Sequence, residues 1–428
     1  MATEPIPTTP RDGLALLPLD DDTVVFCAQT QRLAGLNPTA TAILRGLQAG
    51  QSPADLAHAL ATAAGLGTDQ AQHWVATTLA ALRTHGMLAG CDPTPTPADP
   101  LADARQAAAH RIAHLPPLGD FTPAAERHYR LLGTSFRIRY AHPAQIRLVD
   151  SILGHLAAPN APTPHCIIDL PGEIWSGTQM RTAIYRDGQP VGQAERLSYL
   201  GPQVKAAVWQ AAVNAHDFLL YIHAGVVGTG RACVLLPAAP GSGKSSLTAA
   251  LVHRGYTYFS DEVALIEPAT FRVPPVPLAI CVKKTGWNLM AEFHPAILDL
   301  PLHRREDAKV VRYLPPPAHA AHPAPVRHII FPRYTKDAPT TLAPITRAAA
   351  LGRLMDECMA LRGRLDRTTV GQLVHWIAGI DCFDLTFSSL DAAATAVARV
   401  IGRFDPPENA IQRQNVSPIN LDGSERSR

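Results

Sequence analysis

The residues best suited to chemistry form a short loop rich in glycine and serine. An apolar run, ACVLLPA, precedes the loop, and a helix-like segment, SSLTAALVHRG, follows it. Glycines in such a loop let backbone N–H groups turn inward around phosphate oxygens, and the start of the helix adds partial positive charge. The predicted nucleotide contacts are Pro240, Gly241, Ser242, Gly243, Lys244, Ser245 and Ser246. We expect Lys244 to bridge phosphate oxygens and Ser245 to ligate Mg²⁺.

An acidic pair, Asp261-Glu262, follows this loop after only one helix and one predicted strand, YTYFS. Acids at the end of a strand beside a phosphate loop hold the metal ion or its water. Because the spacing is so short, we expect Lys244 and Asp261 on adjacent strands of a small sheet. The alternative is a chance Gly/Ser turn, which the combination of strand, loop, Lys-Ser and helix disfavours.

This compact spacing resembles the HPr kinase/phosphorylase family and the phosphoenolpyruvate carboxykinases, which share its core. The segment RGYTYFSDE is similar to the HPr-kinase-related subfamily, which has Ser-Asp-Glu where the parent family has two aspartates. The segment IHAGVV places His223 where the family has a histidine, on the strand before the phosphate-loop strand. PVPLAICVKK and GIDCFDLTFSSLDAAATAV resemble later family segments. The resemblance spans about residues 118–404 and is strongest over 218–284.

The resemblance implies an α/β P-loop kinase core, like that of HPr kinase and PEP carboxykinase, that transfers a phosphoryl group from ATP with Mg²⁺. It places Asp261 with Ser245 at the metal, and His223 against the transferred phosphate. Asp261 or Glu262 accepts the proton of the acceptor group. Since Glu262 replaces an aspartate and extends the carboxylate by a methylene, the choice between the two stays open.

Two further segments offer charged residues. The resemblance implies that Lys283 or Lys284 faces the active site, and the alternative is a strand-end lysine in solvent. The segment AEFHPAILDLPLHRRED carries His294, His303, Arg304, Arg305 and Asp307. It is a candidate substrate-side loop, but a solvated turn is the favoured interpretation.

The composition of the whole chain restricts its class. With 428 residues, 46% of them hydrophobic, it fits a globular protein of about two or three domains. A net charge of +2 and the lack of a basic stripe argue against a nucleic-acid partner. The N-terminus lacks signal-peptide features and no apolar run is long enough to span a bilayer, so we expect a cytoplasmic protein with no membrane partner. Seven scattered cysteines predict reduced thiols.

The N-terminal part predicts a small winged-helix-like α+β module. Three strand-like runs, GLALLPL, TVVFCA and RLAGL, precede three helices, two of which begin with the caps Asn37 and Ser52. The pattern resembles PqqD-like modules, which bind the leader of a ribosomally made precursor peptide. Such a leader adds as a strand beside residues 32–36, in a groove shared with the helix around 74–82. A DNA-binding winged helix is the alternative, which the acidic run at 20–22 disfavours.

Other segments set the remaining elements and the boundaries. FRIRYA, CIIDL, MRTAIYR, QPVGQAERLSYL and FLLYIHAGVV are each predicted as one strand, and QVKAAVWQAAVNAHD as a helix. The predicted division is a PqqD-like domain at 10–91, a linker at 92–117, a kinase domain at 118–404 and a disordered tail at 405–428.

Together these parts predict an ATP-dependent kinase that phosphorylates a hydroxyl, expected to be a serine, on a precursor peptide captured by its leader. HPr-kinase-like enzymes of this type occur among the tailoring enzymes of lasso peptides. One alternative acceptor is an HPr-like protein or a small molecule. Another alternative is a non-catalytic adaptor in which ATP gates peptide binding. The parent family forms hexamers, so a homo-oligomer is also open.

Overall fold

The protein is described from a computed structural model. It covers residues 7–91, 109, 112–159, 163–175, 179–229, 231–361, 363–402 and 411–413. These residues form a mixed α/β structure whose elements group along the chain into an N-terminal, a middle and a C-terminal region.

The N-terminal region has the three strands and three helices that its sequence predicts. They are β1 (Ala15–Leu19), β2 (Asp22–Cys27), β3 (Arg32–Leu36), α1 (Pro38–Gln48), α2 (Pro53–Ala64) and α3 (Thr68–Thr84). Asn37 caps α1, and Ser52 forms a capping box with Asp55 at the start of α2. The strands pair antiparallel in the order β1-β2-β3. Because side chains alternate along a strand, Val25 and Ala34 face the helices and pack against Leu44 and Leu79.

The middle region has its own sheet and core. Its elements are β4 (Ala125–Leu131), β5 (Thr134–Tyr140), α4 (Pro143–Leu153), β6 (Cys166–Leu170), β7 (Gly172–Trp175), β8 (Gln179–Arg186), β9 (Gln189–Ala194) and α5 (Leu197–Asn214). The strand order is β4-β5-β6-β8-β7, with β9 on β8. The strand predicted to continue to residue 200 is wrong: β9 ends at Ala194, and Leu197 and Leu200 belong to α5. Leu200, Val204 and Val208 recur at helical spacing and are buried in this core.

The C-terminal region begins with β10 (Leu220–Ile222), β11 (Ala224–Gly228), β12 (Cys233–Pro237), α6 (Lys244–His253), β13 (Thr257–Ser260), β14 (Ala264–Ile266), β15 (Arg272–Val273), β16 (Ile280–Lys283) and α7 (Trp287–Ala291). It continues with β17 (His303–Arg304), β18 (Val310–Leu314), β19 (Ala318–Ala320), β20 (Ala324–Tyr334), β21 (Thr341–Pro344), α8 (Arg347–Asp356), β22 (Cys358–Leu361), α9 (Arg367–Ile377), β23 (Asp381–Phe387), α10 (Leu390–Ile401) and β24 (Ile411–Arg413). Two small sheets have the orders β14-β10-β22 and β16-β18-β17.

The main C-terminal sheet is larger than the sequence predicts. Nine of the described strands form it, in the order β21-β23-β20-β12-β11-β13-β19-β24, with β15 on β20. The expectation that Lys244 and Asp261 follow adjacent strands of a small sheet is wrong. Strand β11 lies between β12 and β13 and pairs antiparallel with both. Strands β12 and β13 therefore run in the same direction, and the loops that follow them meet at one edge of the sheet.

The N-terminal sheet is buried on its second face too. Helix α8 packs against β3, and α9 packs against β1 and β2. Val24, Phe26 and Leu33 share a core with Leu351 and Leu373 of these helices. Two hydrogen bonds add to this apolar interface. The Gln31 side chain donates to the Leu365 carbonyl, and the Leu365 backbone N–H donates to the Gln31 side chain at 2.7 Å.

Gly35 sets the distance between the sheet and α8. A Cβ atom at this position would lie 2.5 Å from the carbonyl carbon and oxygen of Ala348. Because the nearby atoms belong to the backbone, only glycine allows helix and strand to approach this closely.

The predicted linker and tail lie mostly outside the described residues. Within the tail, residues 411–413 form β24 and pair antiparallel with β19. None of the helices in the described part of the chain has the length and apolar character needed to cross a bilayer.

Candidate active site and peptide-binding edge

The loop between β12 and α6 turns sharply at its glycines. Gly241 and Gly243 have φ values of 98° and 87°, in the left-handed region that favours glycine. Gly243 is the N-cap residue of α6, so the helix begins at Lys244. The Ser242 carbonyl accepts a hydrogen bond from the backbone N–H of Tyr334 at 2.9 Å, which ties the loop to the end of β20. This geometry suits a loop whose N–H groups surround an anion.

Helix α6 packs directly on β11. A Cβ atom on Gly225 of that strand would lie 2.3 Å from the Thr248 hydroxyl and 3.4 Å from Lys244 Cγ. A glycine at 225 therefore lets the first turn of the helix approach the sheet. As a result, the aliphatic part of the Lys244 side chain packs against β11.

Lys244 is buried, with 6% of its surface exposed, and its Nζ has no hydrogen-bond partner among the described residues. Burial lowers the pKa of the Lys244 ammonium, while Asp261, Glu262 and Glu357 act to raise it. A buried ammonium without a partner is unfavourable by itself, which indicates a position built for an anion.

Asp261 follows β13, as predicted, and is 3% exposed. Its Oδ1 atom has no hydrogen-bond partner within the described residues. Burial raises the pKa of the Asp261 carboxyl, Lys244 opposes this, and a hydrogen bond from Ser245 also lowers it. The structure therefore brings Lys244, Ser245 and Asp261 together at the loop.

The donor set at this loop fits a magnesium–nucleotide complex. Ser242, Lys244, Thr248 and Asp261 each have a buried side-chain atom with no hydrogen-bond partner within the described parts of the chain. Mg²⁺ is held in such sites by one or two protein oxygens together with substrate phosphates. The Ser245 hydroxyl and the Asp261 carboxylate could supply those oxygens, and Lys244 could contact the phosphates. Among the described residues, no group of three or more His, Cys, Asp or Glu side chains could hold a metal by itself.

Glu262 is paired with a residue of the middle region. Its Oε2 lies 2.5 Å from Nζ of Lys205, a buried lysine of α5. Burial acts to raise the pKa of the Glu262 carboxyl, but Lys205, with smaller contributions from Arg305 and Lys244, lowers it. Asp261 and Glu262, between which the sequence could not choose as proton acceptor, thus have different surroundings.

The interpretation of residues 294–307 as a solvated turn is wrong for two of its members. His303 is buried on β17, and its Nε2 lies 2.9 Å from the Ser151 hydroxyl of α4. Arg305 is half-buried and acts electrostatically on Glu262 and Cys281. Packing of β17 against α5 draws this segment inward.

His223 lies between β10 and β11, not within one continuous strand as predicted. The chain changes sheets there: β10 pairs with β14 and β22, whereas β11 belongs to the main sheet. The His223 backbone N–H donates to the Glu357 carbonyl at 2.9 Å, and the His223 carbonyl accepts from Ala238 at the start of the loop. His223 Nδ1 lies 3.7 Å from Glu357 Oε2. These contacts place His223 beside the phosphate loop.

The structure separates the two lysines at the end of β16, of which Lys283 is the last strand residue and Lys284 follows it. Lys283 is half-buried and close enough to Lys244 to affect its pKa, whereas Lys284 is exposed. Lys283 is therefore the one that faces the loop.

Three residues at this site were missed by sequence reasoning: Lys205, Glu357 and Tyr334. Arg305 was named, but in a segment for which a solvated turn was the favoured interpretation. Lys205 lies 57 positions before its partner Glu262, so no local pattern connects them. A lysine at a helical position otherwise occupied by buried residues, as in VKAAV, is the one signal that could have drawn attention to Lys205.

The peptide-binding edge predicted on the N-terminal sheet is open in the described residues. β3 pairs only with β2, so its other edge has no strand beside it. Trp74 on α3 is half-buried. Near the start of β3, Asp356 at the end of α8 interacts electrostatically with Arg32 and His85. The next residue, Glu357, is the one that contacts His223.

Comparison with known proteins identifies this N-terminal region. Residues 22–88 match the family model described as coenzyme PQQ synthesis protein D (PqqD). They form a PqqD domain, a peptide-recognition domain of pathways that make ribosomally synthesised and modified peptides. The match lies within the predicted 10–91 module. A search of curated proteins found no match to the chain.

Proposed function

We propose that the protein is an ATP-dependent kinase that phosphorylates a hydroxyl group of a precursor peptide. The observation that carries this proposal is the pair of buried atoms Lys244 Nζ and Asp261 Oδ1 at a glycine-rich loop, neither of which has a hydrogen-bond partner among the residues described. The PqqD domain in the same chain supports a peptide as the acceptor. The HPr-kinase resemblance of the segment from 218 to 284 agrees with both.

The loop would bind the triphosphate of ATP. Backbone N–H groups at Gly241 to Lys244 and the start of α6 would contact phosphate oxygens, and Lys244 would neutralise their charge. Mg²⁺, when bound, neutralises charge on the transferred phosphoryl group, and Ser245 and Asp261 would hold it. Burial of the ammonium strengthens its attraction to phosphate, since less water screens it.

Asp261 would also accept the proton. The acceptor oxygen attacks the γ-phosphorus, the bond from that phosphorus to the bridging oxygen of ADP breaks, and the hydroxyl proton passes to Oδ1 of Asp261. Glu262 is less suited to this step because its carboxylate is bound to Lys205. His223, beside the loop, would contact the transferred phosphoryl group.

The leader of the peptide would bind at the open edge of β3. An extended peptide can add to such an edge through main-chain hydrogen bonds, and side chains of α3 would supply selectivity. Neither requirement needs a basic surface, in agreement with the acidic β1–β2 turn at 20–22.

Mass spectrometry tests the proposal directly. The full chain is incubated with Mg-ATP and candidate precursor peptides, with and without leaders. The expected result is a gain of one phosphate (about 80 Da) that is lost in Lys244→Met and strongly reduced without the leader. Leader affinity of Lys244→Met, measured by fluorescence anisotropy, should equal that of the unmodified protein.

Two outcomes would contradict parts of the proposal. Binding of Mg-ATP and leader without any mass change would exclude a kinase and favour a nucleotide-gated adaptor. Phosphorylation that is equally fast with leaderless peptides, or with a small protein acceptor, would contradict the role of the PqqD domain.

A further inference from the structure

The middle region contributes a charged residue to the candidate active site. Lys205 lies on α5 between Val204 and Val208, which are fully buried in the middle core. The lysine itself is buried, and its ammonium stands 5.2 Å from the centre of the Tyr313 ring. A buried ammonium is strongly unfavourable unless it is paired with an anion. The function of Lys205 can therefore be inferred from its partner.

That partner is Glu262, the neighbour of the reacting carboxylate. The Nζ–Oε2 distance is 2.5 Å. Arg305 adds a second positive charge on the same side, close to Cys281 of β16. Glu262 is thus held by groups from α5 and from the segment after β17, whereas Oδ1 of Asp261, one residue earlier, has no hydrogen-bond partner in the described ranges.

Asp261 and Glu262 lie in a bend between β13 and β14, so their side chains start one peptide unit apart. With the Glu262 carboxylate held on Lys205, the Asp261 carboxylate is the one that lies buried beside Lys244 and Ser245. Without the cation, the Glu262 carboxylate would be free to turn to Lys244 or to Mg²⁺, and it would compete with Asp261 there.

We propose that Lys205 is a positioning residue for phosphoryl transfer, which holds Glu262 against the middle region so that Asp261 alone faces the reacting groups. This inference rests on the proposed kinase function. It extends that function by making α5 of the middle region part of the active-site assembly.

The test compares Lys205→Met, Lys205→Arg, Glu262→Gln and the double variant Lys205→Met/Glu262→Gln in the full chain. We expect Lys205→Met to lower kcat for peptide phosphorylation about 10- to 100-fold, with KM for ATP changed by less than about threefold. Lys205→Arg, which keeps the charge, should recover to within about fivefold of the unmodified protein. Because the two residues act as a pair, the double variant should be no more than about threefold worse than Lys205→Met.

Hydrogen exchange supplies a readout that does not depend on activity. Residues 257–266 should exchange faster in Lys205→Met and recover in Lys205→Arg. The matched control is Arg181→Met, which removes the cation of a more exposed ion pair with Glu195 in the same region and should change neither readout.

The outcomes separate this inference from the proposed function. An unchanged kcat in Lys205→Met, or effects of the two single variants that multiply in the double variant, would overturn the positioning role. If the unmodified chain phosphorylates no peptide, the proposed function fails. In that case faster exchange in Lys205→Met would still support the hold on Glu262, and unchanged exchange would overturn that as well.

Discussion

The N-terminal sheet and the phosphate-loop region are buried in opposite ways. The sheet has apolar side chains on both faces, against α1–α3 on one side and α8 and α9 on the other, and within the described residues its two outer edges, those of β1 and β3, have no strand beside them. The phosphate-loop region instead buries charged atoms, Lys244 Nζ and Asp261 Oδ1, that have no hydrogen-bond partner in the part of the chain that the structure describes. The sheet edge can bind the main chain of a peptide without burying a charge. The phosphate-loop region has an unfavourable desolvation energy, which a bound anion and a bound cation would reduce.

The largest effect should come from Asp261→Asn. The amide keeps the size of the side chain but can neither take a proton nor supply its negative charge, so kcat should fall about 10²- to 10⁴-fold. Leader affinity, measured by anisotropy, should stay within about twofold, because the β3 edge does not use this charge. Retained phosphorylation would break the assignment of Asp261, and a weakened leader would show that the two regions are not independent.

Acid should act at neither of these regions but where the middle region meets the C-terminal region, through His155, which follows α4. This buried residue contacts the Pro277 carbonyl at 2.6 Å, and burial lowers its pKa to about 4. The unfolded chain binds a proton from about pH 6.5 downward while the folded chain does not. Stability is therefore present above pH 6.5 and is lost as pH falls towards 4, by about 3 kcal/mol in total.

His155→Gln should make this loss smaller, because glutamine can donate to the same carbonyl without titrating. Urea unfolding between pH 7 and pH 4 should show a slope lower by about 1.4 kcal/mol per pH unit. The control is His114→Gln at an exposed histidine, which should leave the slope unchanged. An identical slope in both variants would show that His155 is not a source of acid sensitivity.

A smaller effect is expected at the interface beneath the sheet. Gly35→Ala places a Cβ 2.5 Å from the backbone of Ala348, so strand and helix must separate, with a loss of about 1–3 kcal/mol in the free energy of unfolding. Gly119→Ala, with no atom within 4 Å of the added Cβ, is the control. Chemical denaturation measures both. Equal stability of the two variants would mean that α8 does not press on β3.

The smallest effect should follow Asp20→Asn. Its carboxylate pairs with Arg347 at 2.9 Å across the same interface, but the two side chains are 50% and 31% exposed. Ion pairs of this exposure contribute less than about 1 kcal/mol. Thermal unfolding and leader affinity should both stay close to those of the unmodified protein, and a larger change would show that charge as well as apolar packing holds the N-terminal sheet.

Most of the features that could be predicted from the sequence depend on residues close together in the chain. The caps Asn37 and Ser52, the alternating strands and the glycines at 241 and 243 each act within a few residues, so their sequence pattern is enough. The PqqD domain was found for the same reason.

Contacts between distant segments were out of reach. The order β12-β11-β13 could not be read from the spacing of Lys244 and Asp261, because β11 precedes both in the chain and is inserted between their strands. The same limit applies to Lys205 with Glu262 and to Glu357 with His223, which only the packing of separate elements brings together.

The close fit at Gly35 has a consequence for protein engineering. A chimera that exchanges the recognition domain to accept a different leader would have to carry over more than the β3 edge. Val24, Phe26 and Leu33, with a glycine at 35, form the surface on which the C-terminal helices rest. A donor domain with a polar or bulky face at these positions would leave Leu351 and Leu373 uncovered, and the chimera would be prone to aggregate before its specificity could be assayed.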